Sequence, residues 1–429
     1  MHEQSDRVVR AFRRVVCVAL SSATIGSGAS AQVFMGLGDL PGGTVMSDAT
    51  AVSADGRVVV GISGSNLGFE AFVWVDGEMW GLRGLPTDVG PFSRASAVNA
   101  DGTVIVGSSM SIGGTEAFRT NAMYAVIGLG DLPGSALLSG ATGVSADGRV
   151  IVGSGRSSSG DEAFVWTAET GMIGLGDLPG GPFSSGATAV SADGRVIVGR
   201  GRTSAGAEAF RWTSETGMVS IGDLPDGSVS SSPSAVSADG SVVVGTGDGE
   251  VGFQAFRWTV QDGMRPLGSI PGLPETSSAL AMNGDGSIVV GAAGSTGLAQ
   301  RAFLWTEAAG MRELSRVLLE DHGIDIGAWT LHAARGITPD GRTIVGVGTN
   351  PSGNTEAWMV VLPARICLAD YNGDTIVDIL DVLQFFDDFA GCLNLPAPCG
   401  EQFNADLNGD TVVDILDVLG FFDAFGSGC

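Results

Sequence analysis

Lysine is missing from this chain altogether: all 22 basic residues are arginine, set against 47 Asp and Glu for a formal net charge of −25. That balance repels polyanions, so nucleic acid and anionic membrane surfaces are excluded as natural partners, and a cation is the better small one. Uninterrupted apolar runs of about 18 residues are also missing, so no transmembrane segment is predicted. Histidine is scarce, with only His322 and His332 beyond the N-terminal region. A Ser-His-Asp set built on one of them is the alternative to plain packing or surface roles. Of the five cysteines only Cys17 lies outside the last 66 residues. Charged residues are few, 16% against 44% hydrophobic, which excludes a disordered chain.

Glycine is abundant, 68 residues without a collagen period, and points to many tight turns between short strands. The N-terminus carries Arg7, Arg10, Arg13 and Arg14, then "VVCVALSSATIG", then "ASA" at Ala29 to Ala31. This reads as a signal peptide over residues 1–31, cut after Ala31 and taking Cys17 with it, so the mature protein is expected to be secreted and soluble. The residues after Arg13 and Arg14 fit a folded-state export signal poorly.

The body repeats itself. "AVSADGRVVVG" at Ala51 returns six times, and its Asp falls at 55, 101, 147, 193, 239, 285 and 340, five spacings of 46 residues and one of 55. So strict a period means one supersecondary unit repeated. Each unit reads as four strands: a small-residue "ATAVSA", a two-residue "DG" hairpin turn with positive φ, a β-branched "RVVVG", then "EAFVW", then "GMIGLGDLPG". Four strands per 46 residues predict an all-β fold, a seven-bladed β-propeller with four-stranded blades, over residues 32–363. A β-solenoid is the competing fold. The last unit lacks its "GLGDLPG" strand while the mature N-terminus opens with "VFMGLGDLPGG", so an N-terminal strand is expected to close the last blade. The "DG" and "ETG" turns should form one tight face, and the longer, more varied loops the other, where a ligand is expected.

The recurring residues each have a plain reading. Asp55 and its equivalents are turn residues. The Glu of "EAF" (Glu70, Glu116, Glu162, Glu208, Glu356, with Gln254 and Arg301 in the other units) caps a strand or pairs with an Arg of the next blade. Trp74, Trp166, Trp212, Trp258, Trp305 and Trp358, near the end of the third strand, are core rather than sugar-stacking platforms. "GLGDLPGG" lacks the Lys-Ser/Thr of a phosphate loop. No catalytic residue is expected.

On "AF.W", "SADG..VVG" and "LG.LPGG" the repeats from Val33 to Pro363 resemble the extracellular HAF-repeat family, which implies an exported repeat protein without a defined activity. This chain has Glu, Gln or Arg where that family has His, so no role of that His carries over. The "SADG" turn is weakly similar to the turn boxes of sialidase propellers but lacks their trailing aromatic.

The tail, residues 364–429, holds 12 Asp and Glu and one Arg, a net of −11 in 66 residues. "ADYNGDTIVDILDVLQFFDDF" at Ala369 returns as "ADLNGDTVVDILDVLGFFDAF" at Ala405. Each copy fits a twelve-position calcium loop: Asp370, Asn372, Asp374, the carbonyl of Ile376, Asp378 and Asp381, then Asp406, Asn408, Asp410, the carbonyl of Val412, Asp414 and Asp417. Oxygen ligands at alternate places suit a hard cation, so two Ca²⁺ ions are expected. An amphipathic helix follows each loop. The arrangement resembles a type I dockerin or dockerin-like EF-hand pair, a small α-helical module. Thr375 and Thr411 stand where such loops have Gly, and Ile379, Leu380, Ile415 and Leu416 at the partner-choosing positions. Cys367, Cys392, Cys399 and Cys429 allow three disulfide pairings, of which Cys367 with Cys392 and Cys399 with Cys429 would flank one loop each.

The expectation is a secreted, non-enzymatic binding or scaffold protein whose C-terminal module attaches it to a cohesin-like or cell-surface protein, with a glycan as a possible propeller ligand. The alternatives are a polysaccharide-degrading or polysaccharide-binding protein tethered by its dockerin, and a structural cell-envelope protein.

Overall fold

The chain divides into two units, Met1–Pro363 and Ala364–Cys429. The computed structural model describes residues 33–87, 92–134, 137–294 and 299–363, all in the first unit. They form seven four-stranded antiparallel sheets. Blade 3 is representative, with strands Ser139–Val144, Ile151–Ser157, Gly160–Thr167 and Gly171–Gly174 in spatial order. The first strands of successive blades pack against one another, which places them innermost around the ring. The expected propeller is the observed fold. The fourth strand is shorter than expected: "LGDLPG" is a loop that leaves the sheet.

Each blade is built on a close approach. In blade 3 the ring of Phe164 is fully buried and lies across Gly153 of the second strand. A Cβ at Gly153 would lie 2.0 Å from the Gly140 carbonyl oxygen and 2.8 Å from the ring, so only glycine fits. The inner strand has a bulge at the same place, between Ala141 and Gly143. The bulged Thr142 reaches the next blade, its hydroxyl donating to the Ala187 carbonyl at 2.9 Å. The same Phe–Gly contact recurs in blade 7 with Trp358 replacing the phenylalanine, over Gly346. Trp358 is therefore the central core residue of its blade and not the strand-end tryptophan that the sequence suggests.

The "DG" turn also differs from expectation. Ser53 N–H donates to the Val58 carbonyl and Gly56 N–H to the Ser53 carbonyl, so four residues make the loop. Only the glycine takes a positive φ, 72° to 77° in all seven copies. The aspartate earns its place through its side chain: Asp55 Oδ1 accepts from the Ser53 hydroxyl at 2.6 Å and the Arg57 amide at 3.0 Å. Side-chain bonding two residues along is what favours Asp in such turns.

Closure follows the sequence expectation. The strand Val33–Gly36 pairs antiparallel with Thr355–Val361, Gly36 opposite Trp358, and completes the sheet of Thr330–Ile337 and Thr343–Thr349. Two further devices join the blades. At the turn face, Ala54 N–H donates to the Ala100 carbonyl, Ala100 to Ala146, Ala146 to Ala192, Ala192 to Ala238, Ala238 to Gly284 and Gly284 to Pro339, at 2.8 to 3.1 Å. Pro339 has no N–H to pass on to Ala54, so the circle stops there.

The second device is a buried serine opening the inner strand of each of blades 1 to 6. Ser185 accepts from the Ala163 amide at 3.0 Å and donates to the Gly176 carbonyl, both in the preceding blade. Ser47, Ser93, Ser139, Ser231 and Ser277 do the same. Between blades 6 and 7 the helix Leu314–His322 stands at this junction, burying Leu314 and Leu318 in one cluster with Trp358. It accounts for the 55-residue spacing. Ser185→Ala strands a buried N–H and a half-buried C=O, and is expected to cost about 1–3 kcal/mol by urea denaturation. A loss under about 0.5 kcal/mol would mean the bridge is not structural.

Candidate functional site

The two faces of the ring differ as expected. On one face the hairpin between second and third strands lies hydrogen-bonded beside the connection that enters the blade: Gly64 N–H to the Met46 carbonyl, Met110 N–H to Phe92, Asp248 N–H to Ser230, Gly294 N–H to Thr276. The same connections bridge the preceding blade, as in the parallel pairs Thr115–Leu138 and Asp161–Ser184. Hairpins and connections thus alternate around this face. Val45, Leu67, Phe69, Phe92, Ile112, Leu138, Phe183, Val251 and Phe253, all on these loops, are exposed. They alternate with small or polar residues at the same positions of other blades, and exposed apolar side chains of this kind mark a candidate interaction surface.

The opposite face is repetitive. Its seven turns carry the Asp–Gly arrangement, and at Asp147, Asp193, Asp239 and Asp285 a neighbouring hydroxyl depresses the carboxylate pKa. At Asp147 and Asp193 the main cause is the hydroxyl of Ser145 or Ser191, then the Arg149 or Arg195 amide. Asp239 is lowered to about 2, first by the Ser237 hydroxyl and then by the amide and hydroxyl of Ser241. Its folded pKa lies below the unfolded value of about 3.9, so its contribution to stability is present above pH ~4 and lost as pH falls towards 2. Asp239→Asn should flatten the fall in melting temperature across that window. An unchanged acid slope would count against the turn's role.

The "EAF" carboxylate has a local task. Glu116 Oε1 accepts the Gly130 amide at 3.0 Å, Glu162 that of Gly176 at 3.1 Å and Glu356 that of Gly38 at 2.9 Å. Each caps the exit of an outer strand, Glu356 that of the closing N-terminal one. Space for the carboxylate comes from an outer-strand glycine: a Cβ on Gly128 or Gly174 would lie 2.2 Å from it. Blade 4 puts Ser220 there instead, whose hydroxyl bonds Glu208. Blade 6 reverses the charges, with Arg301 3.8 Å from Glu313. These paired substitutions identify the position as structural, as the strand-cap reading expected; where an Arg takes part, in blade 6, its partner lies in its own blade.

The tryptophans sit in the core. Trp74, Trp305 and Trp358 are buried, and Trp166, Trp212 and Trp258 pack half-buried against the inter-blade clusters. Arg119 lies over Trp166 of the next blade at 5.5 Å, and the Nε–H groups of Arg211 and Arg257 donate to Gly240 and Gly286 of the next turn. His332 is buried, its Nε2 2.7 Å from the Thr349 hydroxyl and its Nδ1 3.3 Å from the Gln300 carbonyl, with no carboxylate among these partners.

One charged group is unrepeated. Asp48 on the inner strand of blade 1 accepts from Arg335 Nε of blade 7 at 2.8 Å, and Arg94 of blade 2 adds its field. Burial pushes the Asp48 pKa up and the arginines pull it back. The equivalent positions in blades 3 to 6 are Gly140, Gly186, Ser232 and Ser278. The partners are 287 residues apart, so no local pattern announces the pair.

Among the described residues no group of three His, Cys, Asp or Glu could hold a metal, and no helix is long and apolar enough to cross a membrane. The expected calcium ligands Asp370, Asn372, Asp374, Ile376, Asp378, Asp381, Asp406, Asn408, Asp410, Val412, Asp414 and Asp417, the cysteines and residues 1–31 lie outside the described residues.

No family model matches the sequence, and no curated protein does. Among solved structures the chain is similar to TolB from Acinetobacter baumannii, at 12% identity and a TM-score of 0.40, over 61% of this chain and 60% of that one. It is similar to a putative TolB from Agrobacterium tumefaciens, at 13% and 0.36, over 52% and 80%. A chain of the Mitotic Checkpoint Complex matches at 12% and 0.45, over 80% of this chain and 98% of that one. The chain spans about three fifths of the length of the first of these proteins.

Proposed function

We propose that this chain is an exported, non-catalytic binding protein. Its propeller presents the long-loop face to a ligand or partner protein, and its tail folds around two calcium ions and attaches it to a cohesin-like or cell-surface protein. The observation that carries the reading is the asymmetry of the two faces. The turn face spends its recurring carboxylates, amides and arginines on turn and inter-blade bonds. The long-loop face varies from blade to blade and leaves nine large apolar side chains in solvent, against Met123 and Val260 on the turn face.

The tail's part rests on donor chemistry: five side-chain oxygen donors and one carbonyl per loop give six oxygen ligands, the smallest set calcium takes. Calorimetry on the mature full chain should find two calcium sites per molecule, one lost in Asp374→Ala and both in Asp374→Ala/Asp410→Ala. No calcium heat at millimolar metal would sink the attachment module. Reducing sugars released from any polysaccharide by purified protein would overturn the non-catalytic reading.

A further inference from the structure

We propose that the long-loop face of blades 1 to 4 is a docking site for an acidic, apolar-bearing segment of a partner protein. This inference rests on the binding role of that face and adds the chemistry of the occupant. The face is a crescent with two kinds of side chain. Phe92, Ile112 and Leu138 follow one another on the connections and hairpin of blade 2; Ile112 is 67% exposed. Ile112 N–H donates to the Pro86 carbonyl, and the Gly113–Gly114 tip lies against Leu137, so the hairpin touches both connections.

The crescent continues as arginine. Arg156 and Arg202 occupy the same hairpin position in blades 3 and 4, and Arg200 lies two residues before Arg202. Arg200 and Arg202 have no carboxylate within ion-pair distance among the described residues; the Arg200 guanidinium reaches the Ser230 hydroxyl at 3.4 Å, and Asp223 lies farther off within its field. Arg156 is 3.8 Å from Asp161 with both side chains more than half exposed, a contact worth little. Asp131 and Asp177 nearby are turned onto loop amides, those of Leu132 and Leu138 and of Leu178 and Ser184. Arginines without carboxylate partners are conspicuous in a chain of net charge −25. On the next hairpin the equivalent residue is Asp248, so the basic stretch ends there.

Paired guanidinium forks fit carboxylates, and the adjoining apolar residues need an apolar partner. The exposed residues are aliphatic or Phe, and the tryptophans are in the core. That favours a peptide over a sugar chain, whose recognition uses planar stacking platforms.

The test is selection of a random peptide library on the immobilised full chain, followed by fluorescence anisotropy with the synthetic winners. Enriched peptides should combine Asp or Glu with Leu, Ile or Phe. Arg200→Glu/Arg202→Glu should weaken them at least about tenfold and Ile112→Ser about fivefold. Arg149→Glu/Arg195→Glu on the opposite face should leave them unchanged, and all variants should keep the parent melting temperature within about 3 °C. Peptides lost in Ile112→Ser but indifferent to Arg200 and Arg202 would overturn the acidic chemistry while leaving the face in use. Peptides sensitive only to Arg149 and Arg195 would overturn the face itself. No peptide, with saturable binding of polygalacturonate instead, would hand the site to an acidic glycan and overturn the proposal.

Discussion

Gly153→Ala is expected to lower stability by about 3 kcal/mol, the upper end of the usual cost of overpacking a core. The added methyl carbon would lie 2.0 Å from the Gly140 carbonyl oxygen on one side and 2.8 Å from the ring of Phe164 on the other. The first neighbour is backbone, and the second is a fully buried ring. Neither can turn away, so the inner strand would have to leave the sheet. Gly171, the first residue of the outer strand, is the control. It has a φ of 67°, but a Cβ there meets nothing within 4 Å, so alanine should cost only about 1 kcal/mol of left-handed backbone strain. Urea midpoints of the two variants measure the difference. Equal losses would show that positive φ, and not the close approach, is what the repeated glycines supply. Gly107 and Gly199, with a carbonyl 2.0 and 2.2 Å from the same point, should behave like Gly153.

A chain starting at Gly38 should be worse off still. It lacks the strand Val33–Gly36, the Leu37 amide bond to the Ala357 carbonyl, and three packed apolar side chains: buried Leu37, Met35 against the same cluster, and Phe34 packed edge-on to Trp329 at 5.4 Å and beside Trp358. At roughly 1.5–3 kcal/mol for each large side chain, plus the strand pairing, about 5 kcal/mol is at stake. The edge of Thr355–Val361 would also be left open, an invitation to pair with a second molecule. The expected result is a melting temperature lower by 10 °C or more, on the order implied by that loss for a domain of this size, with oligomers on size exclusion. A synthetic peptide of residues 32–40 added in trans should reverse both. A truncated chain that stays monomeric and equally stable would show that the inter-blade bonds alone hold the ring.

Blade number, strand order and closure were legible because they rest on one exact recurrence: the 46-residue spacing of Asp55 and its equivalents, and the displaced "GLGDLPGG" at the chain start. Both are properties of linear order. What was not legible depends on partners from other blades or from other positions of the same blade. Ser185 looks like a loop residue, yet it bridges to Ala163 and Gly176, because nothing in "SSGATAV" tells where a hydroxyl will point. The "DG" pair suggests a two-residue turn, but the chain makes a four-residue loop since the Ser53 and Arg57 partners of Asp55 require it. Trp358 shares its residue type with the strand-end tryptophans and its place with the core phenylalanines, and only the pairing with Gly346 separates the two. The helix Leu314–His322 was hidden inside the one irregular spacing, too short for its amphipathic pattern to stand out. Of the candidate site, the long-loop face could be assigned from loop length and variability, whereas the crescent of Phe92, Ile112, Leu138 and the blade 3 and 4 arginines required knowing which loops are neighbours.

Pro339 turns a circle into a line. Six amides hand on a hydrogen bond around the turn face, and the seventh residue in the series has none to give. The ring therefore has a first and a last member, and both stand at the boundary where the two ends of the propeller chain meet. A molecule pulled or warmed to the point of opening has its parting line written there: blade 7 is held to blade 1 by the Ser47 bridge, the Arg335–Asp48 pair and packing, with no amide link on the turn side. The propeller behaves mechanically as a clasped bracelet, and Val33–Gly36 is the pin that keeps the clasp's last link intact.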